Sequence, residues 1–145
     1  MGFLSKLFGF NTKPITTPPA TKSAAADATG AKQEEWAGGS AVPQELAAGE
    51  ALALYKSPQR PVFLDVREDS EISAFGLIPG SVHIPMSEIQ GRTDELDPSR
   101  PVVVYCASGM RSMDVGFFLI EKGFKDVSNL NGGMNAWSGP VENRQ

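Results

Sequence analysis

The chain has one cysteine, Cys106, and one histidine, His83, among its 145 residues. A single cysteine excludes an intramolecular disulfide, so stability does not depend on an oxidising compartment. Two such residues also fall short of the about four Cys/His ligands of a structural zinc site. No metal or organic cofactor is expected. Positive charge is scarce too: 13 Lys and Arg against 17 Asp and Glu leave a net charge of −4 and no basic field for nucleic acid. No apolar run approaches the roughly 20 residues of a transmembrane helix. Large aliphatic residues are nearly missing from 11–40, where Pro, Thr, Ala and Gly dominate. Such a stretch buries too little apolar surface to offset the entropy of ordering it. These absences imply a soluble, cytoplasmic chain with a flexible tail over residues 1–40, one domain over 41–141 and a short C-terminal tail over 142–145.

The first tail opens on an apolar segment, residues 1–10. As a helix it would present Phe3, Leu4, Leu7, Phe8 and Phe10 as one oily surface. That surface suits a membrane face or a partner's groove, so a position peripheral to a membrane is one expectation. The segment is too short, and too interrupted by Lys6 and Gly9, for a signal peptide. Lys6 also stands where myristoylation needs Ser or Thr.

From Val42 onward the pattern changes. Pro43 suits a first helical turn, and Ala47, Ala51, Leu54 and Tyr55 recur at helical spacing until Ser57-Pro58. Residues 61–66 (PVFLDV) form an apolar run of strand length that reads as covered on both faces. A short acidic helix near 68–75 and a turn at 76–80 follow, then a brief strand at 81–84. Residues 86–96 are weakly helical, with Gly91 as a break. Residues 101–105 (PVVVY) are the most apolar strand candidate. A helix over 111–122 places Met113, Phe117 and Ile120 on one face. Gly123 then ends it, with Phe124 as the apolar contact beyond. A strand at 126–130 and a helix at 132–137 complete the order. Strands alternating with helices imply an α/β domain with a mostly parallel central sheet. Ligands of such sheets bind beyond the carboxyl ends of the strands. Cys106 stands at one such end.

The order strand, Cys-x-x-Gly-x-Arg, helix has chemical meaning. A loop curling back at a strand end can turn its N–H groups inward, which makes an anion-binding concavity. The next helix aims its positive dipole end at the same point, and Arg111 adds a full charge. All three favour the thiolate of Cys106 and hold its sulfur anionic and exposed. Gly109 tolerates the backbone angles a tight cradle needs. A small buried cysteine is the bland alternative, but it gives no reason for Gly109 and Arg111 at these spacings.

Four segments together resemble the rhodanese, or thiosulfate sulfurtransferase, family. They are residues 63–68 (FLDVRE), 76–85 (GLIPGSVHIP), 103–112 (VVYCASGMRS) and 130–137 (LNGGMNAW). The resemblance implies a rhodanese-like fold with helices on both faces of the sheet. It implies that Cys106 takes a sulfane sulfur from a donor such as thiosulfate, mercaptopyruvate or a protein persulfide. The sulfur is then passed to a thiophilic acceptor such as cyanide, a thiol or a protein. It also implies that Ala107, Ser108, Gly109, Met110 and Arg111 form the cradle, with Arg111 meeting substrate charge. Where the family often has histidine after the first glycine of Gly-x-Ile-Pro-Gly, this chain has Leu77. The Cys-x4-Arg spacing suits sulfur, whereas phosphatases resembling this fold use Cys-x5-Arg. There is also no second cysteine for an arsenate reductase. A non-enzymatic sulfur-relay or protein-binding module is the alternative from another class.

Other residues have blander readings. Asp65 and Arg67 are expected to support the site structurally, Asp65 as an acceptor near the loop and Arg67 in an ion pair. His83 reads as a satisfied, half-buried histidine. Ser112 reads as a helix cap, and Ser108 as a donor to a substrate anion. Met110 and Phe75 fit either a pocket wall or the core. Asn131-Gly132-Gly133 reads as a turn, and Trp137 as a core or rim aromatic.

Overall fold

Apolar runs too short for helices become a parallel sheet in the computed structural model, which describes residues 41–144. The expected tail 1–40, with its apolar segment 1–10, lies outside the described residues. In chain order the elements are β1 (Gln44–Leu46), α1 (Ala48–Lys56), β2 (Val62–Asp65), α2 (Asp69–Phe75) and β3 (Val82–His83). Two 3-10 turns and the four-residue α3 (Ile89–Arg92) follow, then β4 (Val102–Tyr105), α4 (Met110–Glu121), β5 (Val127–Leu130) and α5 (Gly133–Ala136). The sheet order is β1-β5-β4-β2-β3 and every pair is parallel.

Alternation along the strands divides the core in two, because successive side chains point to opposite faces. Leu64, Val102 and Val104 join Val115 and Leu119 of α4 and Ile89 of α3 on one side. Phe63, Val103 and Tyr105 join Ala51 and Tyr55 of α1 and Trp137 on the other. Cys106 extends the run 102, 104, 106 on the α4 side. Both faces are covered, as the continuous apolar strands imply.

Three local expectations are corrected. Residues 44–46 form strand β1 rather than the opening of a helix. Gln44 pairs with Ser128 and Leu46 with Leu130, so a tertiary ladder overrides the helical spacing, and α1 starts only at Ala48. Ala51 and Tyr55 of that helix are buried, but Leu54 is exposed. In α4 the buried face is Ser112, Val115, Gly116 and Leu119, one step round from the expected one, and Phe117 faces solvent. Gly116 explains the rotation: a Cβ there would stand 2.7 Å from Pro43 Cγ, so only glycine lets the Pro43 segment pack this closely. Gly91 does not break the chain but lies within α3.

The end of α4 forms as its sequence implies. Phe124 N–H donates to the Leu119 carbonyl at 3.1 Å and Gly123 N–H to that of Ile120 at 3.0 Å. That is the paired bond pattern of a glycine-terminated helix, and Phe124 is buried beyond it. Beyond α5, Glu142 exchanges two backbone bonds with Leu77.

Candidate functional site

β4 delivers Cys106 to the carboxyl edge of the sheet, and α4 begins four residues later. Gly109, at φ +103°, turns the chain so that the helix starts facing back toward the strand end. Gly109 N–H donates to Cys106 Sγ at 3.1 Å and Ser112 N–H does so at 3.4 Å. Gly109 is the helix N-cap residue and Ser112 the third residue inside. The cysteine sulfur thus fills the acceptor position that a capping oxygen usually takes.

Burial pushes the Cys106 thiol up, but donors outweigh it: the Ser112 hydroxyl and the N–H groups of Ser112, Gly109 and Ser108 bring it below the ordinary thiol value. The thiolate forms more readily than in an ordinary cysteine, the direction the loop order implies. The sulfur is not exposed. Cys106 has 0 % accessible surface and packs with Val104 and Val115, which corrects the expectation of an open sulfur. The polar half of its surroundings comes from the loop and the apolar half from the core.

Ser112 is not a cap. Its hydroxyl lies 3.4 Å from Cys106 Sγ and donates to Asn129 Oδ1. Asn129 Nδ2 faces two acceptors, Glu45 Oε1 and the Gly109 carbonyl, each at 3.2 Å. Those acceptors fix the amide orientation, because only the NH2 group can meet both. With its proton given to Asn129, the Ser112 oxygen offers lone pairs to the sulfur. It can therefore accept from the thiol S–H and turn to donate once the proton has left.

The carbonyls of the loop are drawn outward by a segment that sequence reading left without a role. Met134 N–H donates to the Cys106 carbonyl at 2.8 Å and Asn135 N–H to that of Ala107 at 3.0 Å. Gly133, at φ +56°, makes this approach possible: a Cβ there would stand 2.4 Å from the Cys106 carbonyl oxygen. Asn129, Glu71 and Gly133 are the supporting residues that local pattern missed. The doubled glycine of residues 132–133 is the one signal that pointed to a close backbone approach.

Arg111 forms a two-bond ion pair, donating from Nη1 to Glu71 Oε1 at 2.8 Å and from Nη2 to Oε2 at 2.9 Å. The Arg111 hydrogen bonds hold the Glu71 carboxyl down at about 2. Asp65 and Arg67 are buried and pair with each other, Nη2 to Oδ2 at 2.7 Å, and Arg67 Nη2 also donates to the Gly76 carbonyl at 2.7 Å. They support the strand-to-α2 turn, as the structural reading implies, and the bonds of Asp65 go to Arg67 rather than to the loop. His83 is half-buried, with Nε2 2.7 Å from the Arg67 carbonyl.

A cleft of about 310 Å³ borders the loop at Ala107, walled by Arg67, Glu71, Phe75, Met134 and Val141. A second cavity, about 420 Å³, touches Ser108, Gly109 and Met110. Phe75 and Met110 are strongly exposed and border the first and second of these cavities, so the core reading does not hold for them. Trp137 is a core aromatic, edge-on to Tyr55 and Phe63. No helix among the described residues is long and apolar enough to cross a membrane.

Comparison with known proteins agrees with this architecture. The family model for the rhodanese-like domain matches residues 47–140. The chain is 49% identical over 79 residues to YtwF of Bacillus subtilis, a match covering 54% of this chain and 75% of that one. It is 36% identical over 76 residues to the thiosulfate sulfurtransferase GlpE of Coxiella burnetii, covering 52% of this chain and 70% of that one. Among solved structures, a rhodanese-like domain protein from Staphylococcus aureus superposes with a TM-score of 0.65 at 28% identity, covering 70% of this chain and 99% of that one. The chain belongs to the rhodanese-like domain family.

Proposed function

We propose that the chain is a sulfurtransferase in which Cys106 accepts a sulfane sulfur, carries it as a persulfide and gives it to a thiophilic acceptor. The observation that carries this reading is the pair of backbone N–H groups, Gly109 and Ser112, that meet at the Cys106 sulfur at the start of α4. With thiosulfate the steps balance. The Cys106 thiolate attacks the outer sulfur, the donor S–S bond breaks, and its electron pair leaves on sulfite. Cyanide, or a thiolate, then takes the outer sulfur and returns Cys106 as thiolate. In this reading the N–H groups of Ala107 to Arg111 receive the added sulfur, since it bears the persulfide charge. No cofactor is needed. The relationship to named sulfurtransferases supports the class, and the geometry supports Cys106 as carrier.

Phosphatase chemistry is disfavoured by the Cys-x4-Arg spacing and by Arg111, whose guanidinium spends two donors on Glu71. Turnover of a donor panel (thiosulfate, mercaptopyruvate and an organic persulfide) with cyanide as acceptor tests the proposal. Thiocyanate is expected from the native chain and none above background from Cys106→Ser. Equal rates for the two proteins would overturn it.

A further inference from the structure

We infer that Glu71 selects the sulfur donor: by lining the cleft with its carboxylate and neutralising Arg111 of the adjoining loop, it makes the site take an organic persulfide with an apolar substituent in preference to a free dianion such as thiosulfate. This deepens the persulfide reading of Cys106 and rests on it.

The charge inventory of the cleft is the first ground. Arg67 borders the cleft and Arg111 belongs to its loop, and each is paired with a carboxylate. Arg67 gives bonds to both oxygens of Asp65 and to the Gly76 carbonyl. Arg111 gives two parallel bonds to Glu71. A two-bond guanidinium–carboxylate pair is the geometry a dianionic donor would itself need from arginine. Here Glu71 already holds that place.

The rigidity of Glu71 is the second ground. It is the third residue of α2, and its Oε1 also accepts from Glu68 N–H at 2.9 Å. That bond ties the carboxylate to the helix start, as in a capping box. Displacing Glu71 from Arg111 therefore disturbs a helix end as well as an ion pair. An incoming dianion would have to draw Arg111 off a carboxylate anchored at the helix start or share a cation already neutralised.

The remaining wall is the third ground. Phe75 and Val141 are 69% and 49% exposed, and with Met134 they give the cleft an apolar side. An alkyl or aryl substituent gains there by burying apolar surface, whereas thiosulfate has none to bury. The chemistry closes with such a donor. The Cys106 thiolate attacks the terminal sulfur of R–S–SH, a Cys106 S–S bond forms and the donor S–S bond breaks. The electron pair departs on the thiolate R–S⁻, which needs no cation to hold a second charge.

The test is the rate constant for sulfur uptake by Cys106, read by intact mass in single turnovers with thiosulfate and with benzyl persulfide. In Glu71→Gln the ratio of the thiosulfate constant to the benzyl persulfide constant should rise by about tenfold, the scale of one charge facing a dianion at a half-exposed site. Glutamine keeps the bond to Glu68 N–H, so the helix start survives the change. In Phe75→Ser, an exposed position, the same ratio should rise by about threefold through weaker benzyl persulfide uptake. An unchanged ratio in Glu71→Gln, or a fall because Arg111 loses its aim, overturns the inference. Sulfur uptake by the native chain from neither donor would instead overturn the persulfide reading beneath it.

Discussion

Cys106 caps the helix that follows it: its sulfur accepts the N–H of Ser112, three residues inside α4, at 3.4 Å. One atom is thereby both a structural acceptor and the proposed nucleophile. The two roles separate by substitution. Cys106→Ser keeps an acceptor and should change stability little, whereas Cys106→Ala should cost about 1 kcal/mol, the usual worth of a cap. Urea denaturation of both variants measures the difference, and equal loss in the two would remove the capping role.

Gly133→Ala combines a positive φ with a Cβ driven against the Cys106 carbonyl. The chain must move by more than a side chain can, so the loop opens and its N–H groups lose the sulfur. We expect about 2–3 kcal/mol of lost stability from strain at such a position. Sulfur transfer should fall by at least about tenfold, because each 1.4 kcal/mol of lost alignment is a factor of ten. Denaturation and turnover measured on the same preparation check both.

Asp65→Asn removes the negative partner of the buried Arg67. An unpaired buried guanidinium costs about 3–5 kcal/mol, far more than an exposed pair would. Arg92, which pairs with Glu88 and Glu95 at the surface, is the control. Arg92→Ala should cost far less, because solvent screens an exposed pair. Similar losses in the two variants would contradict the burial argument.

Glu71 makes stability depend on acid. Its carboxyl is depressed from an ordinary 4.5 to about 2 in the folded chain, so the unfolded chain binds the proton first as pH falls. The contribution is full above the unfolded value and disappears on the way down through the folded one. Between about pH 4.5 and 2 the native chain should therefore lose stability that Glu71→Gln lacks throughout. Parallel denaturation curves across that window, with no convergence of the two proteins, would contradict the assignment.

Ser112 should be visible in the pH dependence of thiol alkylation. The lowered Cys106 thiol places the rise in rate below that of an ordinary thiol, and Ser112→Ala, which removes a donor to the thiolate, should move it up. An unmoved profile would mean that the hydroxyl stays with Asn129 in both protonation states.

What was legible in the sequence follows the range of the forces involved. β2 and β4 declare themselves because strands covered on both faces read as near-continuous apolar runs. The cysteine loop is local, so its cysteine, glycine and arginine stand within six residues of one another. β1 is different. It is a three-residue edge strand that exists through its ladder to β5, and its own residues, next to Ala47 and Ala51, match a helix better. Arg111 finds Glu71 forty residues away and Ser112 finds Asn129 across the sheet edge. No spacing rule reaches such pairs. The burial of Cys106 was likewise hidden, since its place in the alternation 102, 104, 106 shows only once β4 is known to be covered on the α4 side.

Intact mass after incubation with a sulfane-sulfur donor, in the absence of acceptor, addresses the central claim most directly. The account predicts a gain of one sulfur atom on the native chain, its loss on adding cyanide, and no gain in Cys106→Ala. A native chain whose mass stays unchanged with every donor would contradict the account.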